Sequence, residues 1–343
     1  MYEGKTHIHI ENSRSSAVVF VATEEHVNAL LARNKDIADK LHVTIGASAF
    51  DEIERWTDED FREYYGQMAT ADIMVGFSFP TENISSYAPH LRWIHFISSG
   101  VEHLAPFTWV PDGVALVNNR GVHLPKSGES FAMFLGMLNA RIPCLVTAQR
   151  EGRWDRIFTS VIKGKSVAVF GVGHQGGELA KQAKKMGLRV VGIDPFVTEH
   201  PFCDEVVPLS QMKNVFAKSD FLAITAPLTD GTRGIIGDEA LGWLPKHAGV
   251  MNMSRGPLLD QNALHRKLVS GDLGCAILDV FDEEPLSADS VLWKTPNLII
   301  TPHVSSDDLV NYMPLTLDLT MENVRNDLAG RHLVNVVDIS REF

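Results

Sequence analysis

One stretch near the middle of the chain narrows the available folds more than any other. Gly171-Val172-Gly173-His174-Gln175-Gly176 is a G-x-G-x-x-G run placed directly after the apolar segment VAVF (167–170). Spaced glycines alone say little, but this run has the right flanks. VAVF reads as a buried strand, and Glu178 to Met186 reads as a helix with Leu179, Ala180, Ala183 and Met186 on one face. Gly171 then permits a tight turn, Gly173 lets the backbone approach a pyrophosphate, and Gly176 lets helix and strand pack closely. The helix start offers unbonded N–H groups and a partial positive charge to phosphate oxygens. Asp194 stands at the end of the next strand, LRVVGID, 18 residues after Gly176. A carboxylate there accepts hydrogen bonds from the adenosine ribose hydroxyls and repels a 2′-phosphate, which favours NAD(H) over NADP(H). Gly164-Lys165-Ser166 looks like the tail of a P-loop, but Thr159 occupies the required first glycine and the tripeptide precedes a strand.

The rest of the chain alternates strand-like and helix-like segments. After Ser166 the runs VAVFG, LRVVGID, FLAIT, GVMNM, CAILDV and NLIIT are apolar throughout. That is expected of a parallel sheet covered by helices on both faces. Between them lie helical stretches such as 259–271, and LDLTMENVRNDLAG (317–330) reads as a last helix. The first 120 residues repeat the alternation: AVVFVAT (17–23) as a strand, 24–41 as a helix, VTIGA, a helix around 51–69, DIMVGF, WIHFIS and VALVNN. ESFAMFLGMLNAR is apolar on more than one face and reads as a buried inter-domain or inter-subunit helix.

Composition excludes other classes. With 45% apolar and 22% charged residues among 343, the chain is an ordinary globular one of about two domains. A net charge of −12 argues against a nucleic-acid or anionic-membrane face. No apolar run reaches the roughly 20 residues of a membrane span. The three cysteines, Cys144, Cys203 and Cys275, have no C-x-x-C spacing; they fit a reducing compartment and point to the cytoplasm. His7-Ile8-His9 alternates like a strand and is read as structural, so no metal is expected.

Three successive strand ends beyond the glycine turn carry polar residues that an apolar sheet does not need. GVMNMS ends in Arg255-Gly256, CAILDVF runs from Asp279 to Asp282, Glu283 and Glu284 before Pro285, and NLIITP ends in His303. Ligands of such sheets bind beyond the carboxyl ends of the strands. Arginine can grip a carboxylate with its planar fork and polarise an adjacent carbonyl. Histidine can pass a proton to or from the oxygen. A carboxylate beside the imidazole orients it and raises its pKa from about 6.5. Together these are the parts of a hydride-transfer site.

These residues resemble the NAD-dependent D-isomer-specific 2-hydroxyacid dehydrogenases. The resemblance covers about residues 93–338, through VAVFGVGHQGGELAKQAKKMGLRVVGIDP, TAPLTDGTRGIIG, VMNMSRGPLLDQNAL, AILDVFDEEPL, LIITPHVSS and NDLAGRHLVNVVD. It implies a catalytic Arg255 in N-x-x-R-G, a general acid/base His303 in T-P-H, and as its partner the glutamate directly before the proline, Glu284. It further implies cofactor contacts at Gly171, Gly173, His174, Gln175, Gly176, Asp194, Ala226, Pro227, Met253 and Asp279, with Asp279 on the nicotinamide carboxamide. A carboxylate-binding backbone loop would fall on Ser99-Gly100-Val101.

The expected fold is α/β, with a doubly wound Rossmann dinucleotide-binding domain (122–306) inserted into a smaller flavodoxin-like substrate domain (1–121 plus 307–343). The expected activity interconverts a small 2-oxo acid and its D-2-hydroxy acid with NAD(H), closest to a glyoxylate/hydroxypyruvate reductase. The expected protein partner is a second copy, joined through the NAD-binding domain. Phosphoglycerate oxidation is disfavoured, because no appended regulatory domain is present. Gln175, Thr225 and Ser305-Ser306 depart from the family's usual aliphatic residue, His or Cys, and Gly-Gly pair. Formate dehydrogenases of this fold resemble the set with Gln in place of the glutamate, so Glu284 argues for a reaction that moves a proton. The rival expectation is an NAD(H)-sensing scaffold like the C-terminal-binding-protein co-repressors, marked by a long disordered tail or a recruitment groove.

Overall fold

Parallel strands and covering helices dominate the computed structural model, which describes residues 2, 4–12, 18–46, 55–101 and 104–339. The chain divides into two units, 1–123 with 307–343, and 124–306.

The first unit holds β1 (Thr6–Ile10), β2 (Leu41–Ile45), β3 (Ile73–Gly76), β4 (Trp93–Phe96) and β5 (Ala115–Val117), with helices α1 (Glu24–Arg33), α2 (Asp58–Met68) and α3 (Ile84–Tyr87). Its sheet runs β2-β1-β3-β4-β5 with every pair parallel, the flavodoxin-like order. Alternate residues feed cores on the two faces: Ile73 and Val75 pack on one side, Met74 on the other.

The second unit holds α4 (Leu124–Asn139), α5 (Ile142–Arg150), β6 (Ser166–Phe170), α6 (His174–Lys185), β7 (Arg189–Ile193), β8 (Glu205–Val207), α7 (Met212–Phe216), β9 (Phe221–Ile224), α8 (Asp238–Gly242), β10 (Gly249–Asn252), α9 (Gln261–Ser270), β11 (Cys275–Leu278) and β12 (Leu298–Ile300). The order β12-β11-β10-β9-β6-β7-β8, all parallel, is the doubly wound Rossmann order with one added edge strand. The order reverses between β6 and β9, so the loop after β6 opens at the switch point. A final helix, α10 (Tyr312–Leu328), belongs to the first unit.

Several local expectations are corrected. AVVFVAT is not a strand: Val18–Phe20 is a turn of 3-10 helix, and Ala17 lies outside the described residues. The Asn12 side chain both donates to Ala22 O (2.8 Å) and accepts from Ala22 N (2.9 Å), so a side chain, not a strand ladder, satisfies this backbone. The helix expected over 24–41 ends at Arg33, where Asn34 leaves helical geometry. The helix around 51–69 begins at Asp58, capped by Thr57; residues 51–54 lie outside the described residues. β8 was not foreseen, because EVV is short and lies at the sheet edge. In α4, Phe131, Phe134, Leu135 and Leu138 are buried, but Met133 is 51% exposed. Among the described residues no single helix is long and apolar enough to cross a membrane.

His7 and His9 are strand residues, but the alternation is deceptive because all five residues of β1 are buried. Their rings join Thr70, Thr44 and Glu11 in one chain: Thr70 Oγ1 to His7 Nδ1 3.0 Å, His7 Nε2 to Thr44 Oγ1 2.8 Å, Thr44 Oγ1 to His9 Nδ1 2.9 Å, and His9 Nε2 to Glu11 Oε2 2.9 Å. Burial, aided by His42 and His9, pushes His7 down to about 4, so its ring is neutral near pH 7. Among the described residues no three His, Cys, Asp or Glu side chains are grouped to hold a metal.

Candidate active site

The glycine turn is built by contacts that only glycine tolerates. Gly171 has φ +91°, and a Cβ on it would lie 2.4 Å from Ala226 Cα. A Cβ on Gly176 would lie 2.0 Å from the Gly171 carbonyl oxygen, whereas one on Gly173 would meet nothing within 4 Å. The first and third glycines thus close the turn onto strand and helix, and the second leaves space over the start of α6, which has no side-chain cap. That cradle fits a dinucleotide pyrophosphate, offering α6 N–H groups and room for backbone approach. Thr225 Oγ1, 2.7 Å from Gly171 O, pins the turn from the adjacent strand end. Ala226 is buried against Gly171, Met253 is buried, and Pro227 and His174 are exposed. Gln175 Oε1 is buried without a hydrogen-bond partner among the described residues.

Asp194 stitches this region together. Its Oδ2 accepts from Val172 N (2.8 Å) and its Oδ1 from Phe196 N (2.8 Å) and Val197 N (3.0 Å). Three of about four accepting positions of the carboxylate are therefore used by backbone.

Arg255, Glu284 and His303 follow the ends of neighbouring strands. Asn252 at the end of β10 clamps the arginine loop, donating from Nδ2 to Arg255 O (2.9 Å) and accepting at Oδ1 from Ser254 N (3.1 Å). One arm of the guanidinium donates to Ser254 O at 2.9 Å. Gly256 follows because a Cβ there would sit 2.0 Å from the backbone carbon of Phe281. Gly256→Ala must therefore push apart the arginine and glutamate loops, an overpacking that costs about 1–3 kcal/mol or more. Thermal melting should show a midpoint several degrees lower, and an unchanged midpoint would refute the close approach.

Glu284 reaches both ways. Its Oε1 accepts from Phe281 N (2.8 Å) and its Oε2 from His303 Nδ1 (2.7 Å). Glu283 and Asp282 make no such bond to His303 among the described contacts. The hydrogen bond that His303 donates to Glu284 raises the histidine above its ordinary value, against burial and the Arg255 charge. Burial pushes Glu284 up, but hydrogen bonds from His303 and Phe281 prevail and hold its carboxyl below the usual range. With Nδ1 donating to Glu284, the Nε2 of His303 is the nitrogen left for proton exchange, and the side chain is 48% exposed.

Asp279, expected at the nicotinamide carboxamide, is engaged by the protein itself. It is 1% exposed, and its oxygens accept from Thr301 Oγ1 (2.5 Å), Val304 N (3.1 Å), Ser305 N (3.2 Å) and the Ser305 hydroxyl. Four bonds fill the carboxylate's accepting capacity, so in this structure it holds the loop that carries His303. His303 sits in the left-handed region at φ 52°, its N–H donating to Asp279 O at 2.8 Å. Sequence reasoning missed Asn252, Thr301 and Ser305 as supports; the first two lie inside N-x-x-R-G and T-P-H, where they could have been read.

Ser99, Gly100 and Val101 lie in the first unit, after β4. Asn118 Nδ2 donates to Ser99 O (2.9 Å) and Ser98 Oγ to Gly100 O (2.7 Å), which fixes the loop's shape. Glu102 and His103 of the same motif lie outside the described residues.

A doubly wound unit with a glycine-turn cradle and an Arg–Glu–His set at its strand ends defines a nicotinamide-nucleotide-binding α/β protein. The NAD-binding-domain model of the D-isomer-specific 2-hydroxyacid dehydrogenases matches residues 132–305, and the chain belongs to that family. It is 31% identical over 228 residues to a glyoxylate reductase of Korarchaeum cryptofilum, covering 64% of this chain and 68% of that protein. It is 30% identical over 294 residues to a D-3-phosphoglycerate dehydrogenase of Methanocaldococcus jannaschii, covering 84% of this chain but 56% of that protein. The chain thus spans little more than half the length of that curated relative. Among solved structures, the D-isomer-specific 2-hydroxyacid dehydrogenase of Xanthobacter autotrophicus Py2, in complex with NADPH and MES, is similar at a TM-score of 0.81 and 25% identity, with 98% of this chain and 99% of that chain covered.

Proposed function

We propose that the chain is an oxidoreductase acting on CH–OH donors, interconverting a small 2-oxo acid and its D-2-hydroxy acid with a nicotinamide nucleotide. The observation that carries this reading is the 2.7 Å bond between His303 Nδ1 and Glu284, which raises the histidine and leaves Nε2 for the substrate. A nucleotide held at the turn of Gly171, Gly173 and Gly176 would supply or accept the hydride at C2. His303 Nε2 gives its proton to the oxygen as the carbonyl is reduced, and takes it back in the oxidation. Arg255 holds the carboxylate and draws charge from the neighbouring carbonyl. Asp279 acts as a positioning residue for the His303 loop. The backbone of Ser99-Gly100-Val101 is assigned to the substrate carboxylate. Residues 124–306 are assigned to the nucleotide and the other unit to the substrate.

The small-acid reading follows the likeness to a glyoxylate reductase. NAD(H) preference rests on Asp194, whose negative charge opposes a 2′-phosphate at the end of β7. The Xanthobacter protein holds NADPH, so both nucleotides belong in the test. Glyoxylate, hydroxypyruvate and bulkier 2-oxo acids should be offered to the purified protein with NADH and with NADPH. Reduction of at least one acid, faster with NADH, is expected. Tight NADH binding with no turnover across the panel defeats the enzyme reading, and a faster NADPH rate defeats the nucleotide preference.

A cytoplasmic location is assigned from three free thiols. A homodimer is assigned from the irregular segment after α5, where Trp154 is 92%, Phe158 80% and Val161 77% exposed. Large apolar side chains this exposed, recurring along one segment, mark an interaction surface. Light scattering should give twice the chain mass, and Trp154→Glu with Phe158→Glu should halve it; a monomeric native protein refutes the assignment.

A further inference from the structure

Two of the three cysteines lie on packed neighbouring elements away from the residues assigned to chemistry. Cys144 lies in α5 and Cys275 opens β11, while Asp279, Glu284 and His303 lie beyond the strands' opposite, carboxyl ends. α5 packs directly on β11. Cys144 Sγ lies 3.5 Å from Gly274 O, the carbonyl just before Cys275, and Cys275 Sγ lies 3.9 Å from Leu138 O at the end of α4.

A cation is built into the pair. Arg141 takes φ 56° at the turn between α4 and α5, a left-handed conformation that side chains rarely adopt. From there Nη1 donates to Cys275 Sγ at 3.4 Å and Nη2 to His247 O. A Cβ on residue 274 would lie 2.1 Å from Arg141 Nη1, so Gly274 clears the path for the guanidinium. Left-handed arginine, side-chain-free glycine and neighbouring thiols form one local arrangement that the proposed hydride transfer does not use.

We propose that Cys144 and Cys275 are a reversible redox pair, oxidised to an intramolecular disulfide by a peroxide. Cys144 is half-buried and is the attacking sulfur; Cys275 is buried and resolves. The Cys144 thiolate attacks the distal peroxide oxygen, the O–O bond breaks, and the leaving oxygen takes a proton as an alcohol or water. Cys144 becomes a sulfenic acid. Cys275 then attacks that sulfur and expels water, so two thiols lose two electrons and the peroxide gains them.

The acidities support the order. The Cys275 thiol beside it draws Cys144 down, with Arg141 adding to it against burial. Cys275 is pushed up by Cys144 and by burial. Cys203 is the internal control: burial and Asp204 push it up to about 11, leaving little thiolate to react.

The test is a thiol count on the whole reduced chain, unfolded after brief hydrogen peroxide treatment and quenching. The count should fall from three to one. Mass spectrometry should find the peptides of Cys144 and Cys275 joined, and dithiothreitol should restore all three. C275S should stop at a dimedone-reactive sulfenic acid on Cys144, and C144S should keep both remaining thiols. Retention of all three thiols in the native chain, or a cross-link that includes Cys203, overturns the proposal without touching the hydride-transfer reading. So does thiol loss in C144S at the native rate.

Discussion

His303→Ala should lower kcat/KM for 2-oxo acid reduction by about 10²- to 10⁴-fold, the usual worth of a positioned proton donor. Nucleotide binding, followed by NADH fluorescence, should change little, because the imidazole is held by Glu284 and its own backbone and not by the glycine turn. The pH dependence carries a sign. Reduction needs the protonated ring, and Glu284 raises the ring's pKa, so activity should persist above about pH 6.5 and fall as pH climbs through the raised value. Oxidation needs the neutral ring and should rise over the same interval. Glu284→Gln keeps an acceptor for Nδ1 but removes the charge, so the midpoint of both profiles should move to lower pH. A midpoint that stays put in the glutamine variant would show that Glu284 does not tune the histidine. An unchanged rate in His303→Ala would remove the general acid from the mechanism altogether.

The parts legible in the sequence are those where residue type encodes geometry directly. Gly171, Gly173 and Gly176 could be given separate tasks, and the structure gives the first and third the close contacts those tasks imply. The continuous apolar strands of the second unit announced a sheet covered on both faces. The N-terminal unit was harder because its chemistry is assembled from afar. His7 and His9 alternate like one polar face of a strand; of the partners that let them be buried, Glu11 directly follows β1, but Thr44 and Thr70 come from two distant places in the chain. AVVFVAT failed for the opposite reason, since its apolar residues suggest a strand while Asn12 satisfies the backbone.

Carboxylates were the least legible residues at the site. Asp194, Asp279 and Glu284 all fall in motif positions, yet their sequence context does not reveal how many backbone N–H groups each must satisfy. Asp279 spends its capacity on Thr301, Val304 and Ser305, which makes the placement of His303 depend on a buried negative charge. Ser305, a departure from the family's glycine pair, supplies a hydroxyl to that charge. The departure therefore bears on loop position as well as on the space near the histidine.

Arg255→Lys should produce the second large effect, separable from the first by where it appears. Lysine keeps the charge but not the planar fork, so one of two parallel bonds to a substrate carboxylate is lost. A charged hydrogen bond is worth about 1.5–3 kcal/mol, which corresponds to about ten- to a hundred-fold in kcat/KM. The loss should fall mainly on KM for the 2-oxo acid, because the grip on the carboxylate is made before and during the reaction. The guanidinium is well prepared for that grip. Asn252 fixes its backbone, Gly256 lets the Phe281 backbone lie against it, and Nη1 is already turned onto Ser254 O. A flexible ammonium inherits none of that arrangement beyond the backbone. Steady-state kinetics in both variants decides the roles: an Arg255→Lys effect confined to kcat, with KM unmoved, would transfer the carboxylate to another residue and leave Arg255 a charge near the carbonyl.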